Sequence, residues 1–298
     1  MSRIRLSLFA LAFALPLPTA AQDNFDSVRV TTVPVAAGLW MLQGAGGNIG
    51  VSAGGDGVFL IDDQYAPLTD RIRGAIADIT PAAIRFIVNT HWHTDHTGGN
   101  ENLGKTGTLI VAHENVRRRM SVEQFIAAFN SRTPPAPPAA LPVITFTDTV
   151  TFYLNGDSIV VFHVAPAHTD GDAVIFFRHA NVVHAGDTYF NGLYPFIDVS
   201  SGGSINGMIA AAERILAVAD AHTKIIPGHG PLSTPAELRA YRDMLVGVRD
   251  RVRRAMAGGR TLQQVIAAKP TAPFDAVWGK GWLSPDTFVE IVYADLSR

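Results

Sequence analysis

The stretch Asn89-Thr90-His91-Trp92-His93-Thr94-Asp95-His96-Thr97-Gly98-Gly99-Asn100 constrains this chain more than any other. Three histidines and an aspartate fall within six positions, directly after the β-branched and aromatic run Arg85-Phe86-Ile87-Val88. A strand that ends in a ligand-rich turn is how a scaffold presents a metal site at its edge; the plain alternative is a polar loop with stray histidines. Side chains of extended backbone repeat every two residues, so His91 and His93 point the same way. Asp95 and His96 then face the other way or lie on the next turn, where a second ion has room.

Three further residues join this loop. His168 stands in Ala165-Pro166-Ala167-His168-Thr169-Asp170-Gly171, Asp187 in His184-Ala185-Gly186-Asp187-Thr188, and His229 in Pro227-Gly228-His229-Gly230. Each occupies a turn marked by Gly or Pro, just after the strand-like runs 159–164, 181–183 and 224–226. With these pieces in order over roughly residues 39 to 231, the sequence resembles the metallo-β-lactamase superfamily of hydrolases. The resemblance implies an α/β fold, a four-layer αβ/βα sandwich with metals at one edge.

Residues 1–21 read as a secretory signal. Arg3 and Arg5 form a positive start, Leu6 to Leu15 is an apolar run too short to span a bilayer, and Thr19-Ala20-Ala21 offers small residues for cleavage. Pro16 and Pro18 argue against a buried helix there. The expectation is a secreted, periplasmic protein whose mature part, residues 22–298, is one large α/β domain with C-terminal helices. The net charge of −2 indicates neither nucleic acid nor, once the signal is removed, a membrane as partner. A small-molecule substrate is expected, and no pattern sets an oligomeric state. There is no cysteine, so stability must come from packing, and metal ligands are limited to His and carboxylates.

From Val28 to Gln64 the pattern is a β-meander. Its Gly44–Gly50 cluster joins two strands instead of opening a helix, against a dinucleotide site. Gly50-Val51-Ser52-Ala53-Gly54 matches the GxSxG elbow of serine hydrolases. That elbow needs a helix after the turn, whereas more glycine and another strand follow Ser52, so Ser52 is not expected to be a nucleophile. Asp62 ends a buried-looking strand, where it either supports the His91–His96 loop by hydrogen bonding or caps the strand.

Leu68–Ile79 reads as an amphipathic helix that feeds the strand before the metal loop. Next come a strand over 108–112, a helix over about 114–130 and a Pro/Ala-rich extended loop over 133–142, either a flap or a connector. Arg117-Arg118-Arg119 reads as solvated helix faces. The second half continues with strands over 143–154, 159–164, 174–178 and 181–183. Helices follow over about 204–219, 235–258, 262–268 and 285–296, with Trp278 and Trp282 packed between the last two.

The resemblance assigns His91, His93 and His168 to a first metal and Asp95, His96 and His229 to a second, with Asp187 as the bridging carboxylate. It implies two Zn2+, although iron and manganese accept the same donors. A metal-activated water would then attack an ester, thioester, lactone or β-lactam-type carbonyl, with Asp95 orienting it. The lactamase branch with a cysteine ligand is excluded by the absence of cysteine, and Asp187 departs from the branch that lacks a bridging acid. Glyoxalase II-type thiolesterases, lactonases and phosphodiesterases keep the aspartate. Against glyoxalase II itself stand the expected export and a tail without a clear glutathione-binding basic pattern, and no region suits a nuclease. A true β-lactamase, a mononuclear iron enzyme like the persulfide dioxygenases and a non-catalytic metal-binding protein are the competing readings. His113, His163, His179 and His222 are expected to be structural or exposed, and His184 either structural or a support for Asp187. Trp92, Tyr189, Phe190, Tyr194 and Phe196 either wall a pocket or pack the core.

Overall fold

Alternating apolar residues build two sheets, and the alternation decides what lies between them. In a computed structural model describing residues 25–298, the chain begins with strands β1 (Thr31–Ala36), β2 (Leu39–Gln43), β3 (Ile49–Gly54) and β4 (Gly57–Ile61). Helix α1 (Thr69–Ala77), β5 (Ile84–Val88), short helices α2 (Thr94–Thr97) and α3 (Asn100–Gly104), β6 (Leu109–His113) and α4 (Glu114–Met120) follow. Then come β7 (Gln124–Ile126), β8 (Ser131–Thr133), β9 (Ile144–Phe146), β10 (Thr149–Leu154), β11 (Asp157–His163), β12 (Ala173–Phe177) and β13 (Val182–His184). The chain closes with α5 (Ile205–Val218), β14 (Lys224–Ile226), α6 (Pro235–Ala257), α7 (Leu262–Ala267), α8 (Asp275–Trp278) and α9 (Pro285–Leu296). The expected signal segment lies outside the described residues.

One sheet runs in the order β1-β2-β3-β4-β5-β6-β9, the other β10-β11-β12-β13-β14. Strands β1 to β4 pair antiparallel, and β4, β5, β6 and β9 pair parallel. The second sheet is antiparallel except for β13 with β14. Side-chain alternation then sorts the core. Phe59, Ile61, Val88 and Val111 face Ile159, Val161, Ile175 and Ile226 between the sheets. Val58, Leu60, Ile87 and Ile110 face outward against Leu68, Ile72 and Ile76 around α1. Val174, Val183 and Ile225 face α5, α6 and α9 on the far side. The result is helix, sheet, sheet, helix: the expected four-layer sandwich. Each of these side chains contributes about 1.5–3 kcal/mol by leaving water.

Helix starts are set by local chemistry. Thr234 and Glu237 form a reciprocal capping box before Pro235, and Ser204 and Ser284 cap α5 and α9. Three expectations are corrected here. The helix expected over 114–130 stops at Met120, and residues 124–133 form the β7–β8 hairpin, turned at Asn130 in the left-handed region at φ 48°. Val122, Phe125 and Phe129 remain exposed; beyond Met120 only Ile126 of the apolar spacing that resembled a helix packs against the core. The single run 143–154 divides between the two sheets, β9 in one and β10 in the other. Trp282 is 58% exposed and is not packed between the last helices.

Candidate metal centre

The ligand-capable residues sit just past the C-terminal ends of strands that run in one direction, the edge where such sheets place their sites. His91, His93, Asp95 and His96 follow β5, His168 follows β11, Asp187 follows β13 and His229 follows β14. Two glycines let backbone approach. A Cβ at Gly47 would lie 2.0 Å from the His96 ring, and one at Gly228 would lie 2.0 Å from Asp187 Oδ1.

All seven expected residues converge. His91, His93 and His168 form one group of facing ligand atoms, Asp95, His96 and His229 a second, and His91, His96 and Asp187 a third. Asp187 Oδ2 lies 3.9 Å from His91 Nε2, 3.5 Å from His168 Nε2 and 3.3 Å from His229 Nε2. Its Oδ1 lies 3.1 Å from His96 Nε2. The carboxylate thus touches imidazoles of both sets. Asp95 Oδ2 stands 3.5 Å from His96 Nε2 and 3.4 Å from His229 Nε2. As expected for His91-x-His93, both rings turn inward, and Asp95 and His96 lie on the next turn, in α2.

Hydrogen bonds on the outer ring atoms fix which nitrogens face inward. His96 Nδ1 lies 2.8 Å from Asp62 Oδ2, His93 Nε2 lies 3.1 Å from Asp198 Oδ2, and His168 Nδ1 lies 2.8 Å from the Phe196 carbonyl. Carboxylates and carbonyls only accept, so those ring nitrogens carry the hydrogens. Thr90 donates its hydroxyl to Asp62 at 2.7 Å and so accepts from His91 Nδ1 at 3.0 Å. His91 Nε2, His93 Nδ1 and His168 Nε2 are left bare. His93 Nδ1 and His168 Nε2 face each other at 2.9 Å, a contact of two lone pairs that repels unless positive charge stands beside it. His91 Nε2 is buried without a hydrogen-bond partner among the described residues. Bare imidazoles and carboxylates of this kind fit a borderline-soft divalent cation such as zinc.

Electrostatics agree. Burial pushes the His168 imidazole down to about 4 and holds His91 well below its usual range, so both stay neutral. For Asp187 burial opposes ionisation, but His96, His229 and His91 outweigh it and hold the carboxyl well below the usual carboxylate range. For His229 burial opposes protonation, but Asp187 and Asp95 raise the imidazole to about 9. The carboxylates likewise hold the His96 imidazole well above its usual range, against the opposing effect of burial.

Asp62 supports the loop directly: it accepts from the Thr90 amide, the Thr90 hydroxyl and His96. His184 acts one step away, bonding the Asn48 carbonyl and the Gly186 amide beside Asp187. His113 caps α4 and stacks on His163 at 3.9 Å, while His179 bonds the Gly156 carbonyl and His222 lies on the surface turn at Asp220. Arg119 forms a paired ion contact with Asp170, while Arg118 is solvated beside Glu114. Ser52 is buried in β3 and accepts from Asn155. The sequence reading missed Asp198, which holds His93, and Ser201, which accepts from Trp92 at 3.2 Å. The Asp198-Val199-Ser200-Ser201 turn resembles any capping turn, so nothing in its spacing marks it.

The centre opens into a cavity of about 360 Å3. Of the five aromatics left between two roles, Trp92, Phe190 and Phe196 line it, whereas Tyr189 and Tyr194 are buried in the core. Tyr65, Ile126, Phe129 and Trp282 complete its apolar wall, and of the Pro-rich loop 133–142 only Thr133 reaches it. The loop is therefore mainly a connector, with Ala140 accepting from Asn100. The hairpin beside it supplies the wall.

Comparison with known proteins agrees with this architecture. A hydroxyacylglutathione hydrolase of Nitrosococcus oceani is 30% identical over 166 residues, 55% of each chain. The chain spans about half the length of the curated relatives it matches. Among solved structures, a metallo-beta-lactamase from Pontibacter korlensis superposes with a TM-score of 0.60 at 19% identity, over 73% of this chain and 99% of that one. A stereoselective inverting sec-alkylsulfatase from Pseudomonas sp. superposes at 0.67 and 17% identity, over 89% of this chain and 50% of that one. These two show the shared fold. The family model of the metallo-beta-lactamase superfamily matches residues 43–245, which include every ligand-capable residue of the centre, and the chain belongs to that superfamily.

Proposed function

We propose that this chain is a metal-dependent hydrolase that holds two divalent cations, zinc by donor preference, and cleaves an ester, thioester, lactone or related activated carbonyl. His91, His93 and His168 would hold the first ion, Asp95, His96 and His229 the second, with Asp187 shared. When bound, such ions polarise a carbonyl oxygen and make a nucleophile of water near neutral pH. The observation that carries the reading is the set of three bare, inward imidazole nitrogens with the Asp187 carboxylate between the two sets.

The chain's own residues do the rest. Asp62, Asp198, Thr90 and the Phe196 carbonyl hold the four buried imidazoles in one tautomer and orientation, which keeps the donor set assembled. Asp95 lines the cavity and stays ionised, its carboxyl down to about 2: burial opposes this, and His96 and His229 overcome it. It can accept a hydrogen bond from the attacking water and turn the water's lone pair towards the carbonyl carbon. The proton that the water loses can pass along this hydrogen bond to the departing oxygen or sulfur, which leaves Asp95 ionised again. The aromatic wall excludes bulk water around the reacting bond.

The test is a purified, zinc-reconstituted chain screened against lactams, lactones, esters and thioesters, with elemental analysis beside it. About two ions per chain and turnover of one carbonyl class are expected. One firmly bound iron per chain with oxygen consumption would instead mark an oxygenase and overturn the reading.

A further inference from the structure

The cavity carries a chemical preference of its own. Its wall beyond the metal centre is mostly aromatic, with Tyr65, Trp92, Phe129, Phe190, Phe196 and Trp282 beside the smaller Ala45, Thr94, Ile126 and Thr133. Among the described residues no lysine or arginine lines it, while Asp95 and Asp187 do. Trp92 has its one polar atom engaged by Ser201, so it offers the cavity an apolar ring. Phe190 stacks on His229 with ring centres 5.1 Å apart, which fixes one wall against the centre. At the mouth, Phe129 on the hairpin turn and Trp282 near α9 remain 45% and 58% exposed although their rings lie within 5.8 Å of each other. Phe129 also touches Phe196, ring centres 4.6 Å apart, so the three rings form one face from floor to rim. Large rings left in water at a cavity mouth gain contact area only when an apolar group covers them.

Resting on the hydrolase reading above, we propose that the substrate carries an uncharged, ring-sized apolar group beside the scissile bond, and that Phe129 and Trp282 select it. The same wall disfavours a carboxylate in that position. A carboxylate placed against this wall would lose its hydration and find no cation outside the metal centre. The carboxylate-bearing groups of glutathione and of β-lactams fall in that disfavoured class. A cavity of about 360 Å3 is at the small end of the range for such ligands, and a bicyclic ring fills much of it.

The experiment compares 2-naphthyl acetate with 6-carboxy-2-naphthyl acetate on the zinc-loaded chain, and measures binding of the neutral product 2-naphthol by calorimetry. The neutral ester should be preferred by about 100-fold in kcat/KM, the order expected for stripping water from an unpaired carboxylate. Phe129→Ala and Trp282→Ala should each weaken 2-naphthol binding by up to about 10-fold and raise KM for the neutral ester, with zinc content as wild type. Phe129→Arg should lower the neutral-to-carboxylate preference by at least about 10-fold, since it supplies the missing cation. Equal rates on both esters, or 2-naphthol binding unchanged in both alanine variants, would overturn the proposal. Absence of turnover on these esters and on every lactone, thioester and lactam of the screen would defeat the hydrolase reading instead. The 2-naphthol measurement would then still decide the aromatic wall.

Discussion

Asp62 offers the sharpest test of how the centre is held together. Its carboxylate is fully buried and accepts three hydrogen bonds, from the Thr90 amide at 2.8 Å, the Thr90 hydroxyl at 2.7 Å and His96 Nδ1 at 2.8 Å. Asp62→Ala strands all three donors. At about 1–3 kcal/mol for each unsatisfied buried donor, the loss is on the order of 3–9 kcal/mol. That is comparable with the whole stability of an ordinary domain, about 5–15 kcal/mol, so the alanine variant should fold poorly. Asp62→Asn is the informative change. Its one oxygen still accepts, but the charge is gone and the amide nitrogen points a hydrogen at a donor. His96 then loses the partner that keeps its Nε2 facing Asp95 and Asp187. Changes of this kind lower metal affinity by about 10–100-fold. The loss should fall on the second ion, because the first set meets Asp62 only through Thr90. Competition titration of zinc against a chromogenic chelator reads both affinities, and urea unfolding reads the stability. An asparagine variant that binds both ions as the wild type does would refute the claim that Asp62 sets His96.

Asp187→Asn removes the one carboxylate, among the described residues, within 4 Å of imidazoles from both sets. We expect hydrolysis to fall by about 10²–10³-fold, with elemental analysis showing the second ion lost. Ser52→Ala should leave the rate unchanged, because Ser52 bonds Asn155 and does not line the cavity; loss of activity would revive a serine mechanism. In the metal-free chain His229 is raised from 6.5 to about 9. Its contribution to stability is therefore full below pH 6.5 and lost as pH rises through about 9. Zinc uptake at pH 7 should accordingly release protons, measurable in unbuffered solution, and tighten as pH rises. At the N-terminus, we expect cleavage near Ala21, so mass spectrometry of natively expressed protein should find a chain beginning near Gln22; an intact Met1 or Ser2 would contradict it.

Much of the fold is readable in the sequence because its strands alternate or form short β-branched runs between glycines. The meander through Gln64 and the strand before His91 stand where those patterns place them, as does the helix Pro285–Leu296. The failures share one cause. Residues 114–130 keep apolar spacing throughout, but Val116 and Met120 pack beside Trp92 and Ala112 whereas Val122, Phe125 and Phe129 stay exposed, and local spacing cannot reveal where the core that a segment faces ends. Arg119 binds Asp170, and Ser121 bonds back to Arg117, ending the helix after Met120. Beyond it, Gln124–Ile126 can pair with Ser131–Thr133 because Asn130 accepts a left-handed turn. Similarly, nothing between Phe146 and Thr149 announces that the chain crosses from one sheet to the other. That crossing is a decision of tertiary packing.

The metal-ligating candidates were legible for a different reason. His91, His93, Asp95 and His96 are close in sequence because one turn must present them together, and His168, Asp187 and His229 each follow a strand that ends at the same edge. What surrounds them was legible only in part: Asp62 stood beside the strand end and Trp92, Phe190 and Phe196 beside the ligands, but a supporting residue farther off needs only to reach its partner through space. Asp198 approaches His93 across 105 positions of chain. Phe129 and Trp282 meet across the cavity mouth although they belong to a hairpin and to the turn before the last helix. The residues that converge on the centre are thus written as motifs, while those that shape its preference are scattered through a hairpin and a turn far apart in the chain. If so, chains sharing this ligand set would differ in substrate mainly through the β7–β8 hairpin and the turn before α9. Exchanging the rings at Phe129 and Trp282 should therefore redirect specificity while leaving both sets of ligand atoms in place.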